Sequence, residues 1–131
     1  MIKFFSNLKI IFYFLNFCLI FVYFFPGSLP GLIFYGDKNI QPQITSDFII
    51  SSNHFYVFVV LSIVGFLTFI KLDKVKKLII YLILLSIILE IFHVFIPERS
   101  FQWQDLFGNL FGVIIVIFVR NLIKKHELFK K

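Results

Sequence analysis

Four long apolar stretches, separated by short charged ones, set the pattern of the chain. Residues 10–36, 48–70 and 106–119 carry no Asp, Glu, Lys or Arg, and 78–96 carry only Glu90. A helix crosses about 30 Å of hydrocarbon with about 20 residues, within a range of about 17–25. The pattern therefore predicts transmembrane helices at about 8–25, 53–71, 77–96 and 104–121. Helices are the expected form, because without water each backbone N–H and C=O must find a partner within the segment. Membrane strands would show shorter, alternating segments, and these runs are continuous. The expected fold is an all-α integral membrane bundle of four transmembrane helices, a single domain over residues 1–131.

The connections differ in kind. KLDKVKK at 71–77 predicts a tight basic turn that makes spans two and three an antiparallel hairpin, and 97–103 is another short link. The segment 26–52 is longer and holds Pro26, Gly27, Pro30, Gly31, Gly36 and Pro42, which favour turns. Within it Leu32, Ile33, Phe34 and Tyr35 are apolar enough to lie in the membrane interface. The exit of span one, FFPGSLPG, lacks a small-residue cleavage pattern, so a removed leader is not expected.

Charge gives the orientation. Lys3 and Lys9, then Lys71, Lys74, Lys76 and Lys77, then Arg120, Lys124, Lys125, Lys130 and Lys131 fall on one side, eleven in all, against two, Lys38 and Arg99, on the other. Cytoplasmic loops are enriched in Lys and Arg. Both termini are therefore expected in the cytoplasm.

Composition sharpens this picture. Hydrophobic residues are 60% and charged residues 15% of 131 residues, against roughly 45–50% and about 25% in soluble domains. So small a chain has too little interior to hide that much apolar surface from water. The net charge of +6 follows from membrane orientation, and no nucleic-acid partner is expected; the partner is the lipid bilayer. The single cysteine, Cys18, excludes an internal disulfide and a cysteine-rich metal site.

Candidate chemistry lies where polar side chains enter the apolar runs. A charged group at mid-bilayer costs about 2.5–3.5 kcal/mol on insertion scales and persists when paired or functional. Glu90 lies about 10 Å below the outer end of span three, and His93, three positions on, shares its face. Asp105, Asn109 and Gly112 stack at i, i+4 and i+7 in span four. His54 opens span two, and Arg99 lies in the short outer loop. The topology thus gathers Glu90, His93, Arg99, Asp105, Asn109 and His54 in the outer half, while the inner half offers little beyond Asn16, Ser62, Thr68 and Ser86.

Each has a structural reading as well. Glu90 pairs with Arg99 or His93, Arg99 anchors at the headgroups, Asp105 caps span four, and the histidines hydrogen-bond within the core. Gly108 and Gly112 form a G-x-x-x-G packing face. Trp103 and the tyrosines near span ends read as interface anchors. Glu-x-x-His also occurs in di-iron bundles, but only one copy exists here and no second carboxylate helix is expected to face it. No metal and no cofactor are expected.

EIFHVFIPERSFQWQDLFGNLFG at 90–112 resembles the signature of the VanZ-like membrane protein family. That pattern runs from a Glu to a Gln, then Pro and Arg, then Asp, Asn and Gly at the head of the last span. The matching positions are Glu90, Pro97, Arg99, Asp105, Asn109 and Gly112, with His93 where the family usually has Gln. NHFYVF at 53–58 is similar to the family's His-Phe start of span two, while the Asp-Lys that often precedes it is replaced by Ile50 and Ser51. The resemblance implies a multi-pass protein of the bacterial cytoplasmic membrane. The family's founding member is associated with reduced susceptibility to a glycopeptide antibiotic, a role not carried over to this chain.

Two functions are expected from the polar cluster. In the first, an outward-facing pocket binds a polar or anionic cell-envelope molecule, such as a lipid-linked precursor, with Arg99 on the anion and Glu90, His93, Asp105, Asn109 and His54 orienting it. In the second, the chain is an intramembrane enzyme in which Glu90 is the general acid/base, helped by His54 or His93. No nucleophile motif supports the second.

Overall fold

The computed structural model describes residues 2–70 and 72–128, with backbone alone at 2–6, 72, 73, 127 and 128. Lys71, Lys130 and Lys131, counted in the charge balance, lie outside the described residues. The elements are α1 (Ile2–Phe24), α2 (Leu29–Tyr35), α3 (Ser52–Thr68), α4 (Leu72–Phe92), a 3-10 turn (His93–Phe95) and α5 (Trp103–Leu128). Among the described residues there is no strand.

Among the described residues, three helices contain stretches long and apolar enough to cross a membrane, Asn7–Phe24, Lys74–Phe95 and Trp103–His126. They leave large apolar side chains such as Phe17, Ile80 and Phe118 exposed, the surface a bilayer would cover. These are the features of a membrane protein. The expected second span is shorter than its 53–71 outline. α3 has 17 residues, about 25 Å at 1.5 Å per residue, so it meets the hydrocarbon thickness only at the lower limit.

Other boundaries also move. The basic turn shrinks, because α4 starts at Leu72 and takes Lys74, Lys76 and Lys77 into its first turns. At the other end α4 stops at Phe92, so His93 opens the 3-10 turn rather than continuing the helix. The long 26–52 segment contains an unforeseen helix. Ser28 caps α2 by accepting the Gly31 N–H at 3.0 Å, and Gly36 ends it in the left-handed conformation at φ 69°. Leu32, Ile33, Phe34 and Tyr35 are exposed along α2. Asp47 acts locally: its carboxylate accepts the Ser52 N–H at 2.7 Å where α3 begins.

α3 is the central element, packed against α1, α4 and α5, most extensively against α5. The reason is local. A Cβ on Gly108 would lie 2.7 Å from the Ser51 carbonyl oxygen, and one on Gly112 would lie 2.6 Å from that of Phe55. The two glycines thus let the backbones of α3 and α5 touch. Phe58, Leu61, Leu82, Leu89 and Val113 close the core behind them. This close approach carries the first turns of α3 and α5 to the same level, where the Ser51 N–H donates to the Gln104 carbonyl at 3.1 Å.

Candidate functional site

One end of the bundle, where α3 and α5 begin, holds a buried polar cluster drawn from α1, α3, α4 and α5. Glu90 and Asn109 are 0% exposed, His93 1%, His54 5% and Asp105 9%. Buried groups of this kind persist only with partners, and their donor and acceptor roles follow from those partners.

Asn109 sets the order. Its amide Nδ2 donates to the Ser86 carbonyl at 3.3 Å, which turns Oδ1 toward α1 and α3. Oδ1 accepts the Tyr23 hydroxyl at 2.6 Å and lies 3.1 Å from His54 Nδ1. The Tyr23 oxygen is itself 2.9 Å from the same nitrogen. With the phenol proton committed to Asn109, two oxygens face His54 Nδ1, so that nitrogen carries the imidazole proton. The lone pair of the neutral ring then sits on Nε2. His54 Nε2 lies 3.5 Å from Asp105 Oδ2.

Glu90 closes the other side. Its Oε1 accepts the Gln102 N–H at 2.9 Å, just ahead of α5, where a carboxylate suits the helix dipole. Its Oε2 lies 3.2 Å from His93 Nδ1, yet neither that oxygen nor His93 Nε2 has a hydrogen-bond partner. The Tyr23 ring stacks on His93 with centroids 5.3 Å apart and meets His54 edge-on at 5.1 Å.

The structure therefore brings together Glu90, His93, His54, Asp105 and Asn109. Arg99 is held apart from them, at the end of α1: its Nε donates to the Phe25 carbonyl at 3.1 Å and its Nη2 to the Val22 carbonyl at 3.2 Å. There it caps carbonyls at the helix terminus, the Val22 one alongside the Phe25 N–H. It makes no ion pair with Glu90, which has the other expected partner, His93, against it instead. Burial pulls its guanidinium below the ordinary value, and the fields of Tyr23, Asp105 and Glu90 oppose this; it stays a cation.

Sequence reasoning missed Tyr23, filing it with the interface anchors. It is 6% exposed and lies at the centre of the cluster. The available signal was its position: it lies two residues before the expected end of span one at 25, on the same end of the bundle as His54, which opens span two. The premise that no second carboxylate helix faces Glu90 is also corrected, since Asp105 on α5 does. One atom each of His54, Glu90 and Asp105 lie within 4.8 Å of one another.

Two cavities flank the cluster. One of about 290 Å³ is lined by Tyr23, Ser28, Asn53, His54 and Arg99 together with apolar residues of α1 and α2. The other, about 180 Å³ and mostly polar, is lined by Lys38, His93, Glu98, Arg99, Gln102 and Asp105 among others. Arg99 lines both. No match to the chain was found among protein-family models, curated proteins or solved structures.

Proposed function

We propose that this is a VanZ-like, four-span protein of the bacterial cytoplasmic membrane, with both termini in the cytoplasm, that binds a polar or anionic headgroup of a cell-envelope molecule from the outside. The observation that carries this reading is the position of Arg99 between the two outer cavities. Two backbone carbonyls fix the guanidinium in place, and its Nη1 makes no hydrogen bond to the described residues. A fixed fork with unused N–H groups is a receptor for phosphate or carboxylate. The apolar lining of the larger cavity suits the first carbons of a lipid tail, and the polar lining of the smaller one suits a headgroup.

The test is binding of a polyisoprenyl phosphate to the purified full chain in nanodiscs, with the corresponding alcohol as control. The phosphate is expected to bind and the alcohol not. Arg99→Ala is expected to weaken binding by about 10–100-fold, the loss of one or two charge-assisted hydrogen bonds. Equal affinity for phosphate and alcohol, or no effect of Arg99→Ala in a folded protein, overturns the reading.

A second reading has its own support. Three buried ionisable side chains, His54, Asp105 and Glu90, converge beside a polar cavity, an arrangement that also serves proton transfer. Here Glu90, whose Oε2 lies 3.2 Å from His93 Nδ1, is the general acid/base on a lipid-linked substrate. Turnover of such a substrate that disappears in Glu90→Gln supports it, and turnover that survives removes Glu90 from the chemistry.

A further inference from the structure

We infer that His54, Glu90 and Asp105 form a binding site for one divalent transition-metal ion of the zinc or manganese class. The inference does not depend on headgroup binding at Arg99.

Charge makes the first argument. Two carboxylates are buried within 4.8 Å of one another, and the nearest permanent cation, Arg99, spends its Nε and Nη2 on helix carbonyls rather than on them. Adjacent buried carboxylates repel each other strongly, more so at membrane depth. One divalent cation neutralises both.

The ligand atoms make the second. The neutral His54 ring presents the Nε2 lone pair, because Asn109 and Tyr23 hold Nδ1–H. This is the outer-sphere arrangement that fixes the tautomer of metal-ligating histidines. Nε2 and Asp105 Oδ2 are 3.5 Å apart, close to the roughly 3.4 Å that separates two ligands each about 2.1 Å from a tetrahedral zinc. A divalent cation between that lone pair and the Asp105 carboxylate makes the contact attractive.

The third argument is an orphan. Glu90 Oε2 is fully buried and makes no hydrogen bond, while Oε1 anchors the carboxyl group to Gln102. Oε2 lies 3.2 Å from His93 Nδ1, and Glu90 supplies the third ligand atom of the group. Three protein ligands leave a coordination position open. Asp105 lines the polar cavity of about 180 Å³ that gives an ion its way in. Imidazole with two carboxylates suits zinc, manganese or iron(II) and disfavours copper(I).

The experiment uses the full chain in detergent, stripped with a chelator and reloaded with Zn²⁺, Mn²⁺ or Co²⁺. Bound metal is measured per chain after desalting, and the cobalt form is followed by visible absorption. About one ion per chain is expected, with cobalt ligand-field bands that Zn²⁺ displaces. His54→Gln, Glu90→Gln and Asp105→Asn are each expected to abolish stoichiometric loading, and Asn109→Ala to weaken it by about 10–100-fold, the usual cost of removing an outer-sphere partner. Arg99→Ala is expected to load fully even where it has lost headgroup binding, so failure of one reading is separable from failure of the other. If the three ligand variants do not fold, the cobalt spectrum of the unmodified chain decides. Ligand-field bands distinct from hydrated cobalt support the site. A folded chain that takes up no ion, or loading unchanged in folded ligand variants, overturns it.

Discussion

The Tyr23 hydroxyl donates a 2.6 Å hydrogen bond to Asn109 Oδ1, joining residues 86 positions apart on the first and last helices. The bond fixes the tautomer of His54 and, through the ring stack, the orientation of His93. Tyr23→Phe keeps the ring and removes the hydroxyl. Interhelical hydrogen bonds in membranes average about 0.6 kcal/mol and reach about 1.7 kcal/mol, so a loss within that range is expected. Tyr23→Ala also opens a cavity and is expected to cost about 3–5 kcal/mol. Denaturant unfolding in mixed micelles measures both. Equal costs for the two variants would show that the hydroxyl, not the ring, carries the contact.

How far the sequence showed this site depends on the physics of each residue. Glu90, Asp105 and Asn109 stand out because an apolar run makes a polar side chain conspicuous. Tyr23 does not, because a phenol near a span end suits the interface as well as the core. The partners of Arg99 are backbone carbonyls, which every residue has, so no side-chain pattern points to them. The long helices were legible because each charge-free run must satisfy its own backbone. α2 was not, because seven residues rich in Pro and Gly carry too short a period to read. The end of α3 at Thr68 was hidden by Phe69 and Ile70, which continue the apolar run after the helix stops.

The α3–α5 contact gives a second test. A methyl group at Gly112 would meet the Phe55 carbonyl oxygen at 2.6 Å and Phe58 Cβ at 2.9 Å, and backbone cannot rotate away. Gly112→Ala is expected to destabilise by about 1–3 kcal/mol, the usual range for overpacking. Gly36→Ala meets nothing within 4 Å but sits at φ 69°, so its cost is the left-handed strain alone, about 1 kcal/mol. Thermal unfolding of the two variants should rank Gly112→Ala below Gly36→Ala. The reverse order would mean that α3 and α5 are farther apart than described.

Orientation is open to direct labelling. In a Cys18→Ser background, Lys38→Cys is expected to react with a membrane-impermeant thiol reagent on intact cells. Lys124→Cys should react only after permeabilisation. Both positions avoid the buried cluster. The opposite pattern would overturn the charge-based orientation and, with it, an outward-facing Arg99.

Ser62 and Asn109 are both 0% exposed, yet opposite outcomes are expected on truncation. Ser62 Oγ has no hydrogen-bond partner, so Ser62→Ala removes a desolvated hydroxyl and nothing it serves. Asn109 donates to Ser86 and accepts from Tyr23, so Asn109→Ala strands groups on two other helices. Leaving a buried group without its partner costs about 1–3 kcal/mol, whereas removing an already unpaired one is neutral or stabilising. Unfolding midpoints are therefore expected to stay level or rise in Ser62→Ala and to fall in Asn109→Ala. A fall of similar size in both would mean that Ser62 has a partner, such as a trapped water, and that burial depth rather than hydrogen bonding ranks the polar residues of this bundle.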